Sequence, residues 1–165
     1  MDIAQQILFT QDIAATLDEV LSGYVYDRLF VLTDENTRRR CLPLLSASKA
    51  LASAGYINIP PDDTHKTLDS LASVWQELSD RRATRHSMMV NLGGGMVTDL
   101  GGFAAATFKR GIRYINIPTT LLGAVDAAVG GKTGINFNGL KNEIGAFAPA
   151  EADAPPSGAP ALRRR

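Results

Sequence analysis

The stretch VNLGGGMVTDLGGFAAATFKRG, residues Val90–Gly111, decides the fold of this chain. An apolar run ends in the triple glycine Gly93–Gly95, and a stretch rich in small residues follows it. A buried strand that turns through glycines into a helix is typical of open α/β sheets, whose ligand clefts lie beyond the carboxyl ends of the strands. Glycines let the backbone approach a ligand, and a helix amino terminus favours a phosphate. The glycines suit a tight turn and, at Gly101 and Gly102, close helix packing equally well, so both interpretations stay open.

Short β-rich runs alternate with segments of helical period along the rest of the chain. In the segment HKTLDSLASVWQEL, one helical face carries Leu68, Leu71, Val74, Trp75 and Leu78. The predicted strands are 6–9, 28–34, 56–59, 87–92 and 113–118, and the predicted helices are 12–21, 35–45 or beyond, 65–78 and 96–108. This order predicts an α/β fold, a Rossmann-like, mostly parallel sheet with helices on both faces. Residues 1–150 form the predicted domain, and 151–165, rich in Ala and Pro and ending in arginines, form a predicted irregular, disordered tail.

Composition narrows the class of protein. The 165 residues fit one domain, and 17 basic and 17 acidic residues cancel, so no overall field favours nucleic acid or an anionic membrane. No apolar run approaches the ~20 residues of a membrane span. The single cysteine, Cys41, excludes an intrachain disulfide, and the amino terminus lacks the pattern of a signal peptide. We therefore expect a soluble, cytoplasmic protein with no nucleic-acid or membrane partner.

The acid at the end of the second predicted strand has two interpretations. In a conventional Rossmann unit the ribose-binding acid follows the glycines, whereas Asp34 precedes them. Asp34 and Asn36 can still meet a ribose if their strand lies close to the glycine strand. Taken alone, Asp34, Glu35 and Asn36 fit a helix cap better.

Polar residues after residue 110 favour a local anion site. The threonines of PTT, Thr119 and Thr120, follow a strand, where hydroxyls suit a cofactor oxygen and a helix cap equally. The segments GGKTG and GLKN place lysines in predicted loops, beside glycine-rich turns of a neutral protein. Asp126 lies in an apolar run, where an unpaired carboxylate is costly, so we expect a cationic partner, with Lys132 the first candidate.

Three long segments carry a family resemblance. GGGMVTDLGGFAAATFKRG, INIPTTLLGAVDAAVGGKTGIN and LKNEIGAFAPA resemble the 3-dehydroquinate synthase family of NAD-dependent sugar phosphate cyclases, and TDEN and PPDDTHKTL resemble it more loosely. The resemblance implies an N-terminal, NAD-binding α/β domain, with the family's C-terminal helical domain missing from this chain. It further implies conversion of 3-deoxy-arabino-heptulosonate 7-phosphate to 3-dehydroquinate and phosphate in the shikimate pathway, a phosphorus-oxygen lyase reaction within aromatic amino acid biosynthesis.

The same resemblance implies the site residues. Those on the adenosine side of NAD are Asp34, Asn36, Lys66 and, with a shorter stem than the family's usual glutamate, Asp63. Those at the pyrophosphate and ribose are Gly94, Gly95, Met96 and Asp99, beside Thr119 and Thr120. Those toward nicotinamide and the sugar phosphate substrate are Asp126, Lys132, Lys141 and Asn142, and Arg110 is assigned to the substrate phosphate, from this subunit or a neighbouring one of an expected homodimer.

The metal of the family has no predicted ligands here. The family binds zinc or cobalt through a glutamate and two histidines located beyond the point where this chain ends. His65 and His86 lack ligand spacing. We therefore expect little turnover from the chain alone. Alternatives are another sugar phosphate cyclase, making a valiolone or an inosose, and a non-catalytic NAD-binding or dimerisation module. Metal-dependent alcohol or glycerol dehydrogenases fit less well, because their pattern lacks the pair GGKTG and GLKN.

Overall fold

A parallel sheet forms the centre of the computed structural model, which describes residues 10–127 and 131–153. Its strands are β1 (Leu29–Asp34), β2 (Gly55–Ile59), β3 (Met88–Gly93), β4 (Arg113–Pro118) and β7 (Ala152–Asp153). A separate antiparallel pair consists of β5 (Lys132–Phe137) and β6 (Leu140–Phe147). The strand order in the sheet is β2-β1-β3-β4-β7, and each pairing is parallel. The helices are α1 (Ile13–Ser22), α2 (Glu35–Arg40), α3 (Leu68–Asp80), α4 (Gly95–Thr107) and α5 (Leu121–Ala127), and 3₁₀ turns lie at Leu42–Leu45, Ala50–Ser53, Asp63–His65 and Phe108–Arg110.

Two apolar layers cover the sheet, one on each face. Alternate residues of a strand point to opposite faces, so within β1 Val31 packs with α1 while Leu32 packs with α3 and α4. The α1 layer contains Leu17 and Val20, and the opposite layer contains Leu71 of α3. The prediction of a mostly parallel sheet with helices on both faces is confirmed.

Helix α4 is buried nearly all round, which explains its small residues. A Cβ on Gly101 would lie 2.3 Å from Oδ1 of Asn91, and a Cβ on Gly102 would lie 2.6 Å from Cγ2 of Thr133. The first glycine therefore lets α4 approach the sheet, and the second lets the β5–β6 pair cover the helix from outside. The packing interpretation of these two glycines is confirmed.

The β5–β6 hairpin replaces two predicted loops. Its strands are joined by Asn138 and Gly139, both with positive φ, the conformation that a two-residue type I′ turn requires. Asn-Gly between apolar residues is a strong local hairpin signal. The sequence therefore contained the signal for this element, although the segments GGKTG and GLKN were predicted as loops.

Three features of the fold differ from the prediction. The helix predicted over 35–45 ends at Arg40, because Pro43 has no N–H for a further α-helical bond, and a 3₁₀ turn follows. Leu68 begins α3 but is 46% exposed, so it is not part of the buried face.

Beyond residue 150, the Glu151 N–H donates to the Tyr114 carbonyl oxygen at 2.8 Å, and β7 pairs with β4. The predicted strand 6–9 and residues 154–165 of the predicted tail lie outside the described residues. None of the described helices is both long and apolar enough to cross a bilayer.

Candidate functional site

The carboxyl ends of β1 and β3 lie side by side. The two strands pair in parallel up to Leu32 and Asn91, two residues before each strand ends at Asp34 or Gly93. The Thr37 hydroxyl donates to the Leu92 carbonyl oxygen at 3.0 Å, which ties the start of α2 to the end of β3. The condition under which Asp34 and the glycines can share one ligand is therefore met.

Asp34 caps α2. Its Oδ1 accepts the Thr37 N–H at 2.8 Å, and the Asp34 N–H donates to the Thr37 hydroxyl at 3.1 Å, a reciprocal capping box. The cap interpretation is confirmed, and Asn36 is exposed in the first turn of the same helix.

Burial, with a further contribution from the Asp34 carboxylate, raises the pKa of the Cys41 thiol, so that this thiol remains protonated at neutral pH.

The three glycines between β3 and α4 have different roles. A Cβ on Gly93 would lie 2.5 Å from Cβ of Val97, so this glycine is needed for packing. A Cβ on Gly94 would lie 3.2 Å from Cγ2 of Thr120, whereas a Cβ on Gly95 would meet nothing within 4 Å. Gly94 is the helix N-cap and supplies no side-chain acceptor, and the first turn of α4 contains no acid. The helix thus begins at Gly95 and the half-buried Met96 with open space on the Cβ side of Gly95, whereas a Cβ on Gly123 of α5 would lie 3.1 Å from the Gly95 nitrogen.

The two threonines after β4 lie beside this glycine corner. The Thr119 N–H donates to the Gly93 carbonyl oxygen at 2.9 Å. The Thr120 hydroxyl accepts the Gly123 N–H at 2.9 Å and so caps α5. The structure confirms the prediction that these residues stand at the start of a helix.

Lys66 is the most buried of the charged site residues whose side chains the structure describes. Its side chain is 4% exposed, and its Nζ lies 2.7 Å from Oδ2 of Asp99 on α4. The same ammonium donates to Oδ1 of Asn142 on β6. The structure thus joins three residues that the resemblance divided between the adenosine end, the ribose and the nicotinamide end.

The hairpin lysines occupy strands, which corrects their prediction as loop residues. Lys132 begins β5 and lines a cavity of about 560 Å³ together with Asp99, Thr133 and Asn142. Lys141 lies on β6, 82% exposed in its side chain, with Nζ 3.7 Å from Oδ2 of Asp63. Pairing the two segments as strands brings both lysines to the side of the sheet on which α4 lies.

The structure does not bring Arg110 into this cluster. Arg110 follows the carboxyl end of α4, whereas Gly95 begins the helix. Since the helix has 13 residues, at about 1.5 Å of rise per residue its ends are roughly 20 Å apart. Arg110 therefore lies away from the glycine corner of its own chain, in a turn where Lys109 and Arg110 both have positive φ. The Asp126 side chain and its predicted pairing with Lys132 lie outside the described residues.

Among the side chains that the structure describes, no group of three His, Cys, Asp or Glu residues is placed to hold a metal ion. His65 is exposed, and its Nδ1–H donates to the Pro61 carbonyl oxygen at 2.6 Å. His86 is exposed in the turn before β3. The described residues do not fit a metal centre, and the chemistry proposed below uses none.

Two polar residues of the candidate site were not predicted from the sequence. Thr37, buried between α2 and β3, is recognisable as the third residue after Asp34 in a capping box, a pattern that the sequence contains. Asn136 on β5 contacts Asp63, Lys66 and Asn142. Its contacts depend on the hairpin register, which no local pattern indicates.

Comparisons with known proteins identify sequences and structures that resemble this chain. A sequence profile described as 3-dehydroquinate synthase N-terminal matches residues 56–154. The 3-dehydroquinate synthase of Parabacteroides distasonis is 54% identical over 145 residues, which cover 88% of this chain and 41% of that protein. That of Streptococcus pyogenes serotype M5 is 39% identical over 146 residues, with the same coverage of 88% and 41%. The chain thus spans about two fifths of the length of these curated relatives.

Solved structures show the same fold. The 2-epi-5-epi-valiolone synthase of Streptomyces hygroscopicus, determined with NAD+ and Zn2+ bound, superposes with a TM-score of 0.79 and is 26% identical, covering 94% of this chain and 44% of that one. A 2-deoxy-scyllo-inosose synthase complexed with carbaglucose-6-phosphate, NAD+ and Co2+ superposes with a TM-score of 0.75 at 19% identity, covering 93% and 45% of the two chains. The profile match and the identity to the curated relatives together show that this chain belongs to the 3-dehydroquinate synthase family, whose N-terminal part it matches.

Proposed function

We propose that this chain binds NAD, with the cofactor diphosphate at the amino end of α4. The observation that carries this proposal is the open corner at Gly95, where a Cβ would meet nothing within 4 Å. The helix there has no side-chain cap and no acid in its first turn. Uncapped N–H groups at the positive end of a helix dipole suit a bound diphosphate.

The adenosine half of the cofactor would lie over the carboxyl end of β1. The Thr37 N–H donates to Oδ1 of Asp34, and the Thr37 hydroxyl oxygen lies 3.2 Å from the same atom. We assign Oδ2 of Asp34 to the ribose hydroxyls, with exposed Asn36 beside it. Asp63, on the 3₁₀ turn after β2, completes this side.

The nicotinamide half would lie near the Lys66, Asp99 and Asn142 cluster. The cavity beside this cluster, lined by Lys132, is large enough for a sugar phosphate, and an exposed ammonium at its wall suits an anion. We assign Lys132, Lys141 and Asn142 to substrate contacts, together with Asp126. Because Arg110 lies at the far end of α4, we assign its contact with substrate phosphate to a second copy in a homodimer.

The reaction proposed for the complete protein is conversion of 3-deoxy-arabino-heptulosonate 7-phosphate to 3-dehydroquinate and phosphate. Bound NAD, held by the residues assigned above, would supply a hydride acceptor that is regenerated within each turnover, so the net reaction would consume no oxidant. The residues of this chain orient the cofactor and hold the anionic substrate against it. Since the chain spans about two fifths of its relatives, we expect it to bind NAD without measurable turnover.

A second candidate is another sugar phosphate cyclase. The observation that favours it is the valiolone synthase structure, which is 26% identical with a TM-score of 0.79. The 54% identity to a 3-dehydroquinate synthase ranks the first candidate above it.

Titration calorimetry of the 165-residue chain with NAD+ tests the proposal. Adenosine monophosphate, which lacks the diphosphate, is the matched control ligand and should bind at least about tenfold more weakly. A phosphate-release assay with the heptulosonate phosphate, with and without zinc, follows. NAD+ binding without phosphate release is the expected result. Absence of NAD+ binding at millimolar concentration would refute the binding proposal, and release of phosphate would refute the expectation that the chain alone lacks turnover.

A further inference from the structure

The pairing of β5 with β6 shifts register next to the residues that contact Lys66. Ile135 pairs with Ile144, but Phe137 pairs with Leu140, so the register shifts between the two pairs. Asn136 on β5 therefore faces a bulge of three residues, 141–143, on β6. Bulges re-aim side chains and are common beside functional sites.

The Asn136 side chain fills the gap that the bulge leaves in the ladder. Its Oδ1 accepts the Asn142 backbone N–H at 2.9 Å. Its Nδ2 donates to the backbone oxygen of Asp63 at 3.0 Å and to Oδ2 of Asp63 at 3.1 Å. The Asn136 backbone N–H donates to the Lys66 carbonyl oxygen at 2.8 Å. One residue thus connects the bulge, the 3₁₀ turn after β2 and the backbone of Lys66.

Asn142 needs such support because its backbone is unusual for a strand. Its φ is +53°, in the left-handed region, which asparagine tolerates better than most residues but which still costs energy. This conformation directs its side chain to the Lys66 ammonium. The hydrogen bond from the Asn142 amide to Asn136 holds the strained residue in place.

We propose that Asn136 is a positioning residue of the cofactor site, which acts through Asn142 and Asp63. It holds the bulge that aims Asn142 at Lys66, and it anchors Asp63 on the adenosine side. The affinity test of this inference rests on the proposed NAD binding. The hydrogen bond from the Asn142 amide to Asn136 can be tested without any ligand.

The first experiment measures amide hydrogen exchange at Asn142 by NMR, in the wild-type chain and in Asn136→Ala and Asn136→Asp. Asp at position 136 keeps the oxygen that accepts the Asn142 N–H but replaces the amide donor that faces Asp63. Exchange at Asn142 should be at least about tenfold faster in Asn136→Ala. It should be intermediate in Asn136→Asp, whose carboxylate still accepts the Asn142 N–H but repels Asp63. Equal exchange in the wild type and Asn136→Ala would overturn the proposal, whether or not the chain binds NAD.

The second experiment measures NAD+ affinity in a double-mutant cycle of Asn136→Ala with Asn142→Gly. Glycine suits the positive φ, so this variant removes the side chain without adding strain. Each single variant should bind NAD+ about fivefold to tenfold more weakly. The loss in the double variant should be clearly smaller than the sum, because both changes disturb the same contact between Asn142 and Lys66 and only the Asp63 contact of Asn136 adds to it. Additive losses would show that Asn136 does not act through Asn142.

A control variant separates this role from general stability. Gln76→Ala deletes an exposed amide that donates to Asp80 on α3, away from the hairpin. It should bind NAD+ like the wild type. Melting temperatures of all variants should stay within about 5 °C of the wild type. Failure of the wild-type chain itself to bind NAD+ would refute the proposed function, and the exchange experiment would still decide the role of Asn136.

Discussion

The ammonium of Lys66 lies 2.7 Å from the carboxylate of Asp99, although the Lys66 side chain is only 4% exposed. A buried charge is tolerated when a partner compensates for its lost hydration. The pair joins the turn before α3 to α4, and Asp99 also lines the cavity proposed for the substrate. This ion pair is therefore the most buried charge interaction that the structure describes in the candidate site.

Lys66→Met should weaken NAD+ binding by about tenfold or more, because it removes the cation between Asp99 and Asn142. The free energy of unfolding should fall by only about 1–2 kcal/mol, since the Asp99 side chain is 30% exposed and keeps contact with water. Calorimetry and urea denaturation measure the two effects. Lys141→Met, at a cation 82% exposed, is the stability control and should change unfolding by less than about 0.5 kcal/mol. Unchanged NAD+ affinity in Lys66→Met would contradict the assignment.

Gly95→Asp should separate stability from binding. An acid in the first turn of α4 complements the helix dipole, so the melting temperature should stay the same or rise, by the equivalent of about 0.3–1 kcal/mol. The same carboxylate would repel a diphosphate at the open corner, so NAD+ binding should be lost. Gly95→Asn, of similar size but uncharged, is the matched control and should retain more of the affinity. Equal NAD+ affinities for the two variants would argue against an anion at this corner.

Gly101→Ala should destabilise the chain by about 1–3 kcal/mol, because its Cβ would lie 2.3 Å from Oδ1 of Asn91. Asn91 has little room to move, since it is fully buried and its Nδ2 donates to Asn116 at 3.1 Å. Gly95→Ala, the same substitution on the same helix, meets nothing within 4 Å and should cost little. Urea denaturation of the two variants provides the comparison. Equal midpoints would show that α4 can shift away from the sheet.

Asp27→Asn should change the acid sensitivity of folding. Hydrogen bonds from the Thr84 hydroxyl, the largest cause, and from the Ser87 hydroxyl at 2.8 Å hold the pKa of Asp27 below its ordinary value of 3.8. A lowered pKa in the folded state stabilises the fold above pH 3.8, and this contribution is lost as pH falls through the folded-state value. The variant should therefore be less stable than the wild type at neutral pH, and the difference should shrink as the pH drops below about 4. Denaturant titrations at several pH values measure it, and a constant difference would refute this account.

The amino-acid sequence alone determined the order of elements from α1 to β4 and the position of the glycine corner. It did so because hydrophobic period, caps and glycine runs are local signals. The strands predicted at 28–34 and 113–118 match β1 and β4 within a residue. Asp34 as a helix cap and Thr120 as the residue before a helix follow from the same local rules.

Only the tertiary structure decided which residues lie together in the candidate site. Lys66 and Asn142 are 76 positions apart, and their contact depends on the bulge of β6 and on the packing of the hairpin against α4. The distinction between Gly93, needed for packing, and Gly95, open to a ligand, depends on which atoms surround each Cα. Helix geometry likewise places Arg110 at the end of α4 remote from Gly95. Local periodicity does not encode these relationships, because they arise from close packing between segments that are distant in the chain.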